Sequence, residues 1–332
     1  MKALFVFAQM HPAHSNFAEG INADKIKIGP YKKKSNIPRW YLKCLLNISK
    51  NYDLYITEDP GFRVIIPIIK LFNRKSKFVA LVAYEKPYII SKATPAKKNK
   101  YRKNLEKFDG IITVSPMVKD LLVDIGVSKN KIEIARPSAK EEVIKEMKES
   151  SPDLNSKNVL IIGNAMLKRG IKGLDILVEA MKIVRRTNTD AKLFIVGKDN
   201  EKAKETYSKL DFVEFLGFQE KLSDPMKKCS LYAHIGRGDA CPISTEEAMH
   251  AGLPTLVSVW TGTKDFVEKT EKRFVVNLDK ESVANAINWY FSLDKEEKVA
   301  LSNNFRQTIS YLTPEESRNE FKDAVYKLIK NE

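Results

Sequence analysis

The sequence of 332 residues is poor in cysteine and has no long hydrophobic run. Its three cysteines, Cys44, Cys229 and Cys241, lack metal-ligand spacing and cannot all pair, which favours a reducing compartment. No apolar run approaches the roughly 20 residues that a membrane-spanning helix needs. The N-terminal run MKALFVFAQM is too short for a signal peptide and indicates a buried first strand. We therefore expect a cytoplasmic protein without a disulfide framework. The sequence has no apparent repeat or low-complexity tract, which is consistent with a globular fold.

The composition is that of a folded protein with a strong excess of positive charge. Hydrophobic residues make up 43% of the chain, and its length suits two domains of ordinary size. The net charge is +15, from 57 Lys and Arg against 42 Asp and Glu. Such a charge attracts nucleic acid, anionic membranes or phosphorylated substrates, and it does not choose among them.

The basic residues cluster in the first half of the chain. One cluster precedes FDGIITVS, and the other leads into the segment 37–50, where Trp40 and Tyr41 lie beside basic residues. That segment has helical spacing of leucines, which fits a helix covering a sheet or one lying on an anionic leaflet. The two clusters are Lys32, Lys33, Lys34 and Arg39, and Lys92, Lys97, Lys98, Lys100, Arg102 and Lys103.

Apolar runs of strand length alternate with helical segments along the whole chain. Five such runs, ALFVFA, DLYITED, KFVALVAY, GIITVS and KIEIAR, precede a polar stretch at 139–156, and the rhythm resumes with NVLIIG, KLFIVG, VEFLG, LYAHIG, TLVS and RFVV. Continuous apolar strands between helices predict parallel sheets covered on both faces. We predict an α/β fold of two Rossmann-like domains, residues 1–138 and 157–310, joined by 139–156, with a ligand cleft between them.

The most informative stretch is GDACPISTEEAMHAGLPTLVS, from Gly238 to Ser258. Pro242 suits the first turn of a helix and Gly252 its end, so the pattern predicts a loop, a short helix and a buried strand. The first amides of that helix, near Ile243, Ser244 and Thr245, would form an anion site, most usefully for a phosphate. Asp239 in the loop and Glu247 inside the helix could face one ligand, although most such acids only cap helices. We expect the adjacent Glu246 to face solvent.

These motifs resemble those of the family 4 nucleotide-sugar glycosyltransferases. That family has two acids eight positions apart, then EAMA-x-G-x-P and a strand ending in Ser. Asp239 stands where the family usually has Glu, and Ala240, Cys241 and Pro242 stand where it has Gly-Phe-Gly. The order of the other matching stretches agrees over most of the chain: KFDGIITVSPMVKDLLVDIGVSKNKIEI, NVLIIGNAMLKRGIKGLDILVEAMKIV, AKLFIVG, FVEFLGF and TGTKDFV.

The resemblance implies a GT-B fold and a retaining, metal-independent transfer of sugar to a hydroxyl acceptor, with no cofactor besides the UDP- or GDP-linked donor. It implies an N-terminal acceptor domain, a C-terminal donor domain, and a final helix at 311–332 that crosses back to the first domain. Glu247 would bind the ribose hydroxyls, Asp239 the transferred sugar, and the amides of Ile243 and Ser244 a phosphate. Donor-side neighbours would be Cys241, Pro242 and Gly262, with His234 either touching the donor or serving as a structural histidine.

The resemblance also places cations on the donor diphosphate. The family has an Arg after the glycine that ends the first strand of the donor domain, but here Gly163 is followed by Asn164. Its Lys-Gly pair is present as Lys172-Gly173, in a longer loop that also holds Lys168 and Arg169. We expect Arg169 and Lys172 to face the diphosphate, with Lys168 as the substitute for the missing arginine. The alternative is that these are solvated loop charges.

The first domain offers only weak candidates for the acceptor side. His11 and His14 occupy the loop where the family often has a Gly-Gly pair, and Tyr84 and Glu85 stand where many relatives have a histidine. The acceptor would be a glycan or a lipid-linked or surface polymer, with the basic half of the chain at the inner face of a membrane. Two other hypotheses stay open: a sugar-nucleotide-binding protein that has lost catalysis, and a nucleic-acid-binding protein. The latter has only the charge in its favour, since its basic runs lack a recognition motif.

Overall fold

The computed structural model describes residues 1–7, 11–27, 52–58, 63–64 and 66–330, with the backbone alone at 168–169. The chain forms two compact units: Met1–Ser138 with Pro314–Glu332, and Ala139–Thr313. Each unit contains a six-stranded sheet in which every described strand pair is parallel. Helices lie between the strands, so the predicted α/β class with two Rossmann-like domains is confirmed.

The sheet of the first unit has the strand order β2-β1-β3-β4-β5-β6. The chain passes from β1 outward to β2 and then builds β3 to β6 in the other direction. The order therefore reverses between β1 and β3, and the carboxyl ends of those two strands form the topological switch point. The strands are β1 Ala3–Phe7, β2 Asp24–Lys27, β3 Leu54–Thr57, β4 Lys77–Val82, β5 Gly110–Thr113 and β6 Ile132–Ile134.

Six described helices accompany this sheet, and one of them comes from the C-terminus. The last helix, α15, packs against α1, β5 and β6, where its Phe321 stacks on Phe17 and Phe5. All three rings are fully buried, so the end of the chain completes the core of the first unit. The helices are α1 Pro12–Gly20, α2 Ile66–Phe72, α3 Lys86–Ser91, α4 Pro95–Leu105, α5 Pro116–Asp124 and, after the second unit, α15 Pro314–Lys330.

The sheet of the second unit has the order β12-β11-β10-β7-β8-β9, so its switch point lies between β7 and β10. Its strands are β7 Asn158–Ile162, β8 Lys192–Val196, β9 Val213–Gly217, β10 Leu231–His234, β11 Thr255–Ser258 and β12 Val275–Val276. Its helices are α6 Glu141–Lys148, α7 Met166–Arg169, α8 Leu174–Val184, α9 Glu201–Tyr207, α10 Ser223–Met226, α11 Ile243–His250, α12 Lys264–Thr270, α13 Lys280–Ser292 and α14 Lys295–Ile309.

The apolar runs found in the sequence all contain strands, but one described strand was missed. Strand β2 reads DKIK and is mostly exposed, so it carries no hydrophobic pattern. It forms because it pairs with the edge of β1, with Leu4 opposite Asp24. The polar stretch 139–156 contains helix α6, whose Ile144 and Met147 are buried within the second unit.

The structure bears on the expectation about membrane-spanning helices but does not describe the basic segment. Within the described ranges, no helix is long and apolar enough to cross a bilayer. The cluster Lys32, Lys33, Lys34 and Arg39 and the helix expected at 37–50 lie outside the described residues.

Candidate functional site

The carboxyl ends of β7 and β10 bring the motif residues of the second unit together. Gly163 directly follows β7, and Asp239 lies five residues after the end of β10 at His234. These two strands flank the switch point, where open parallel sheets usually bind their ligands. The loop before α11 is held in place by a parallel bridge between Asp239 and Thr261 and by a hydrogen bond from the Gly262 amide to the Asp239 carbonyl, at 2.8 Å.

Helix α11 begins and ends where the sequence predicted. Pro242 is its N-cap residue, and no side chain caps its first turn. The amides of Ile243 and Ser244 therefore lie at the positive end of the helix without an acceptor from an earlier turn, while Thr245 donates to the Pro242 carbonyl at 3.1 Å. Gly252 ends the segment with φ +78°, a conformation that favours glycine.

Asp239 is the electrostatic centre of the site. Its Oδ2 lies 3.1 Å from Lys172 Nζ and 3.0 Å from His234 Nε2, and its side chain is 21% exposed. Burial by itself disfavours the charged carboxylate, but Lys172 and His234 outweigh it and hold the pKa of Asp239 well below its ordinary value. The carboxylate is therefore ionised at neutral pH, with Oδ2 held by two donors.

A buried relay connects Asp239 to the first turn of α11. His234 is fully buried, and its Nδ1 lies 3.3 Å from Tyr232 Oη, which lies 2.8 Å from Ser244 Oγ. Burial and the nearby Lys172 lower the pKa of His234, against the opposing effect of Asp239. A neutral imidazole that donates from Nε2 to Asp239 leaves the Nδ1 lone pair facing Tyr232 Oη, whose own proton is donated to Ser244 Oγ. The sequence hypothesis left His234 between a donor contact and a structural role, and the structure places it behind Asp239.

Glu247 has the opposite electrostatic environment. Burial, with a smaller contribution from Glu146 on α6, raises its pKa to about 7, and Lys172 only partly opposes this. Lys172 therefore acts on both motif acids, but it pairs directly with Asp239. The two carboxylates of one motif thus differ in protonation near neutral pH because, among the described side chains, only Asp239 has a cationic partner in contact.

Glu246 is not at the surface, so the expectation that it faces solvent is wrong. Its side chain is 1% exposed, and Cys241 Sγ donates to its Oε1 at 3.5 Å. The second acid of the EE pair, Glu247, is the more accessible one. Helix α11 is packed on several sides, by α6, α14, β10 and β11, so a helical-wheel argument could not identify its exposed face.

The Lys172-Gly173 loop depends on close contacts that only glycine permits. A Cβ on Gly163 would lie 2.2 Å from Lys172 Cδ, so the lysine side chain passes directly over this glycine to reach Asp239. Gly173 has φ +67°, and a Cβ there would lie 2.0 Å from the Ile235 carbonyl oxygen. The Lys-Gly pair therefore contributes in two ways: Lys172 supplies a positive charge, and Gly173 lets the backbone approach the Ile235 carbonyl closely.

Arg237 and Asp175 hold the same loop, and sequence reasoning missed both residues. The Arg237 guanidinium makes two hydrogen bonds to Asp175, at 2.7 and 2.8 Å, and a third to the Gly170 carbonyl at 2.8 Å. Burial acts against the Asp175 carboxylate, but Arg237 prevails and lowers its pKa. Nothing in the sequence indicated this pair, which joins positions 62 residues apart.

The other predicted cation positions follow β7. Lys168 and Arg169 belong to the short helix α7, and the described structure does not include their side chains. Asn164 is exposed, and its Oδ1 accepts from the Lys198 amide at 2.7 Å, which ties the ends of β7 and β8 together. Lys172, the predicted cation whose side chain is described, contacts the motif acid Asp239.

The predicted acceptor-side residues all lie in the first unit, as two groups. His11 and His14 follow β1, with ring centroids 5.3 Å apart, and His14 Nδ1 lies 2.5 Å from Glu58 Oε1. Tyr84 and Glu85 follow β4; Glu85 is at the N-cap position of α3, and Tyr84 is half-buried. Over the described part of the chain, no group of three or more His, Cys, Asp or Glu is arranged to hold a metal ion.

Solved structures with the same architecture cover nearly the whole chain. Sucrose-phosphate synthase from Thermosynechococcus elongatus aligns over 100% of both chains with a TM-score of 0.77 and 15% identity. HepE of Anabaena, solved with UDP and glucose, aligns over 98% of this chain and 99% of its own, with a TM-score of 0.73 and 15% identity. WaaG, a glycosyltransferase of lipopolysaccharide biosynthesis, covers 98% of both with a TM-score of 0.66 and 15% identity. At these identities the likeness establishes the GT-B fold.

The family comparison gives the chemical class. Residues 156–292, which include β7 and the whole acidic motif, match the family model described as glycosyl transferases group 1. A comparison with curated proteins finds no match. The second unit thus contains a group 1 glycosyltransferase domain, and the protein is a glycosyltransferase, in enzyme class EC 2.4.

Proposed function

We propose that this protein is a retaining, metal-independent glycosyltransferase that moves a sugar from a UDP- or GDP-linked donor to a hydroxyl acceptor. The observation that carries the proposal is the ion pair of Lys172 and Asp239 beside the open first turn of α11. A cation and free helix amides suit a diphosphate, and an ionised carboxylate suits the hydroxyls of a sugar. Uracil is the first base to test, because the structures of HepE hold UDP or UDP-glucose.

The donor is expected to lie along the motif from ribose to sugar. Glu247 accepts hydrogen bonds from the ribose hydroxyls, and the amides of Ile243 and Ser244 receive a phosphate. Lys172 binds the diphosphate, together with Arg169 and Lys168 from α7. Asp239 orients the transferred sugar, and the rest of the wall consists of Gly163, Asn164, Cys241, Pro242 and Gly262.

Catalysis in this scheme is electrostatic. Negative charge grows on the diphosphate as the glycosidic bond breaks, and Lys172 and the amides at the start of α11 are already oriented to stabilise it. The leaving phosphate helps to deprotonate the incoming hydroxyl on the same face of the sugar, which retains the anomeric configuration. Asp239 then serves to orient the sugar and is not required as a nucleophile.

The acceptor is proposed to be a glycan, a lipid-linked sugar or a surface polymer, bound by the first unit at the cytoplasmic face of a membrane. The net charge of +15 supports attraction to an anionic leaflet. Charge reversal at Lys32, Lys33 and Lys34 should reduce activity on lipid acceptors and leave soluble acceptors unaffected. Equal losses on both would remove the membrane part of the proposal.

A second candidate is a sugar-nucleotide-binding protein without turnover. The absence of an arginine after Gly163 favours it, because one usual diphosphate cation is missing. Such a protein would bind a nucleotide and show no hydrolysis or transfer in broad acceptor screens. Nucleic acid binding rests only on net charge, and an affinity that collapses at moderate salt without sequence preference would identify it as nonspecific attraction.

The first test is thermal stability against nucleoside diphosphates and nucleotide sugars, for the wild type and Glu247→Ala. A ligand at 100 times its Kd stabilises a protein by about 2.7 kcal/mol, which a melting curve resolves. The expected result is a shift with one base that the variant loses. Exposed Glu268 on α12 supplies the control, Glu268→Ala, which should keep the shift. No shift with any nucleotide would refute the donor site.

A further inference from the structure

A second pair of titratable residues occupies the switch point of the first sheet. Glu58 directly follows β3, and His14 lies in α1, the helix that follows β1. Strands β1 and β3 are neighbours, with Val6 opposite Thr57, and the Glu58 amide donates to the Val6 carbonyl. The pair therefore has the same topological position in the first unit as Lys172 and Asp239 have in the second. That position is where parallel sheets bind ligands.

The contact between the two side chains is short and largely enclosed. His14 Nδ1 lies 2.5 Å from Glu58 Oε1, and each side chain is 13% exposed. The imidazole stacks on Phe17 with an interplanar angle of 7°, and Phe17 in turn stacks on Phe321 of α15. Stacking on Phe17 thus fixes the plane of the His14 ring, and the contact with Glu58 fixes which ring edge carries Nδ1.

This arrangement determines which nitrogen of a neutral His14 carries the proton. A carboxylate at Nδ1 stabilises the Nδ1–H tautomer, which leaves the lone pair on Nε2. No hydrogen bond to Nε2 occurs within the described residues. A nitrogen with a lone pair, on a fixed ring whose side chain is partly exposed, is a hydrogen-bond acceptor suited to a neutral hydroxyl.

His11 adds a donor beside this acceptor. Its Nδ1 accepts from the Ala13 amide at 3.3 Å as the N-cap of α1, so in the neutral ring the proton is on Nε2. Burial lowers the pKa of His11 and keeps the ring neutral at pH 7. Two rings with centroids 5.3 Å apart that offer an acceptor and a donor nitrogen match the hydroxyl groups of a sugar or polyol, each of which can both donate and accept.

We propose that His14, held by Glu58, binds a hydroxyl of the glycosyl acceptor through Nε2, and that Glu58 is a positioning residue of this site. The proposal rests on the proposed transferase function and gives its acceptor side a defined chemistry: a neutral hydroxyl compound such as a sugar. His14 orients the hydroxyl and is not required to remove its proton.

The alternative role for the pair is to tie α1 to β3, and a matched ion pair controls for that role. Lys70 on α2 lies 3.2 Å from Asp109, which precedes β5 at the opposite, amino edge of the same sheet. Lys70→Met breaks this helix-to-strand pair without touching the switch point. A purely structural His14–Glu58 pair would behave in the same way as Lys70–Asp109.

The decisive variant is His14→Asn. Its side-chain amide nitrogen takes the place of Nδ1 and still donates to Glu58, whereas nothing replaces Nε2. With UDP-glucose as donor and octyl β-D-glucopyranoside as acceptor, we expect the acceptor KM to rise about tenfold, while the KM and hydrolysis rate of the donor change less than twofold. Glu58→Gln, which keeps an acceptor for Nδ1–H, should retain more acceptor affinity than Glu58→Ala. Lys70→Met should match the wild type.

An acceptor KM within twofold of the wild type in His14→Asn would overturn the proposal, as would parallel losses of donor hydrolysis and transfer. A wild-type protein that neither binds nor hydrolyses any nucleotide sugar refutes the proposed function instead. In that event 15N NMR of the His14 ring decides the inference without turnover. We expect a protonated Nδ1, an unprotonated Nε2, and a shift of Nε2 on titration with methyl α-D-glucopyranoside or octyl β-D-glucopyranoside. A protonated Nε2, or no shift with either glycoside, would overturn it.

Discussion

At the scale of single residues, one motif contains two acids with opposite electrostatics. Asp239 contacts Lys172 and His234, so its pKa falls in spite of burial. Glu247 has no such contact among the described side chains, and burial, together with the nearby Glu146, raises its pKa to about 7. Side chains eight positions apart in sequence thus acquire different protonation behaviour from their neighbours in space. Perturbed pKa values of this kind are typical of ligand sites.

Glu247→Gln should make the protein more stable at pH 8 and change little at pH 5. A carboxyl whose folded pKa is raised stabilises the fold below its ordinary pKa of 4.5, and that contribution is lost as the pH rises through about 7. Neutral glutamine avoids the cost of ionisation, which is of the order of 3 kcal/mol at most. Melting curves at the two pH values measure the effect. A variant less stable than the wild type at pH 8 would contradict this account of Glu247, and exposed Glu268→Gln should change neither curve.

His234→Phe should raise the pKa of Asp239, and His234→Gln should raise it less. Phenylalanine fills the buried space without an N–H for Asp239 Oδ2, whereas glutamine keeps a donor. The 13C NMR titration of the Asp239 carboxyl measures this directly, and we expect nucleotide-sugar affinity to fall about tenfold only in the phenylalanine variant. Tyr290→Phe is the control for loss of a buried hydroxyl, since Tyr290 donates to the Ser230 carbonyl away from the relay. Identical titrations in the two His234 variants would mean that His234 only fills space.

At the scale of elements, helix α11 has an uncapped start and a capped end. Its start is left open by Pro242, and its end is closed by Arg306 of α14. The Arg306 guanidinium donates to four carbonyls, those of His250 and Ala251 at the end of α11 and those of Lys148 and Ser150 at the end of α6. One side chain therefore satisfies the carboxyl ends of the two helices that carry Glu247 and Glu146. A positive charge there also complements both helix dipoles.

Arg306→Ala should destabilise the second unit by about 2–4 kcal/mol, because partly buried carbonyls lose a charged donor. We expect Arg306→Lys to recover part of this, since an ammonium group reaches fewer of the four carbonyls. Denaturant unfolding followed by hydrogen exchange in α6 and α11 is the measurement. Arg273, whose side chain is 61% exposed and contacts Glu271 and the face of the Trp289 ring, is the control and should change stability less on substitution. Unchanged protection of both helices in Arg306→Ala would rule out the capping role.

At the scale of the whole molecule, the last helix is part of the core of the first unit. Phe321 on α15 is fully buried and stacks with Phe17 at 4.5 Å, so the fold of residues 1–138 depends on the final segment of the chain. The first unit thus assembles from segments separated by the whole of the second unit. Contacts this distant in sequence carry a large entropic cost of loop closure, which the aromatic packing offsets.

Phe321→Ala should destabilise the first unit by about 3–5 kcal/mol and leave the second unit intact. Hydrogen exchange resolved by residue should show lost protection in β1 and α1, with β7 and α11 unchanged. Tyr326→Ala on the same helix is the control, because that side chain is 36% exposed. Equal loss of protection in both units would show that they unfold as one cooperative body.

The sequence by itself determined the order of strands and helices, the two-domain α/β class and the bounds of α11. These features follow from local rules: apolar runs of strand length, Pro242 at a helix start and Gly252 at its end. They can be predicted from the sequence because each is encoded by residues adjacent in the chain. Among the described strands, only the polar edge strand β2 was not predicted, since it forms by pairing with β1 and has no hydrophobic pattern.

The tertiary structure decided which polar groups meet. It buried Glu246, placed His234 and Tyr232 behind Asp239, paired Arg237 with Asp175, and brought Glu58 to His14. The last two pairs join residues 62 and 44 positions apart, and no periodicity links such positions. Their energies come from geometry and local dielectric at the ends of parallel strands, and these exist only once the sheets have formed.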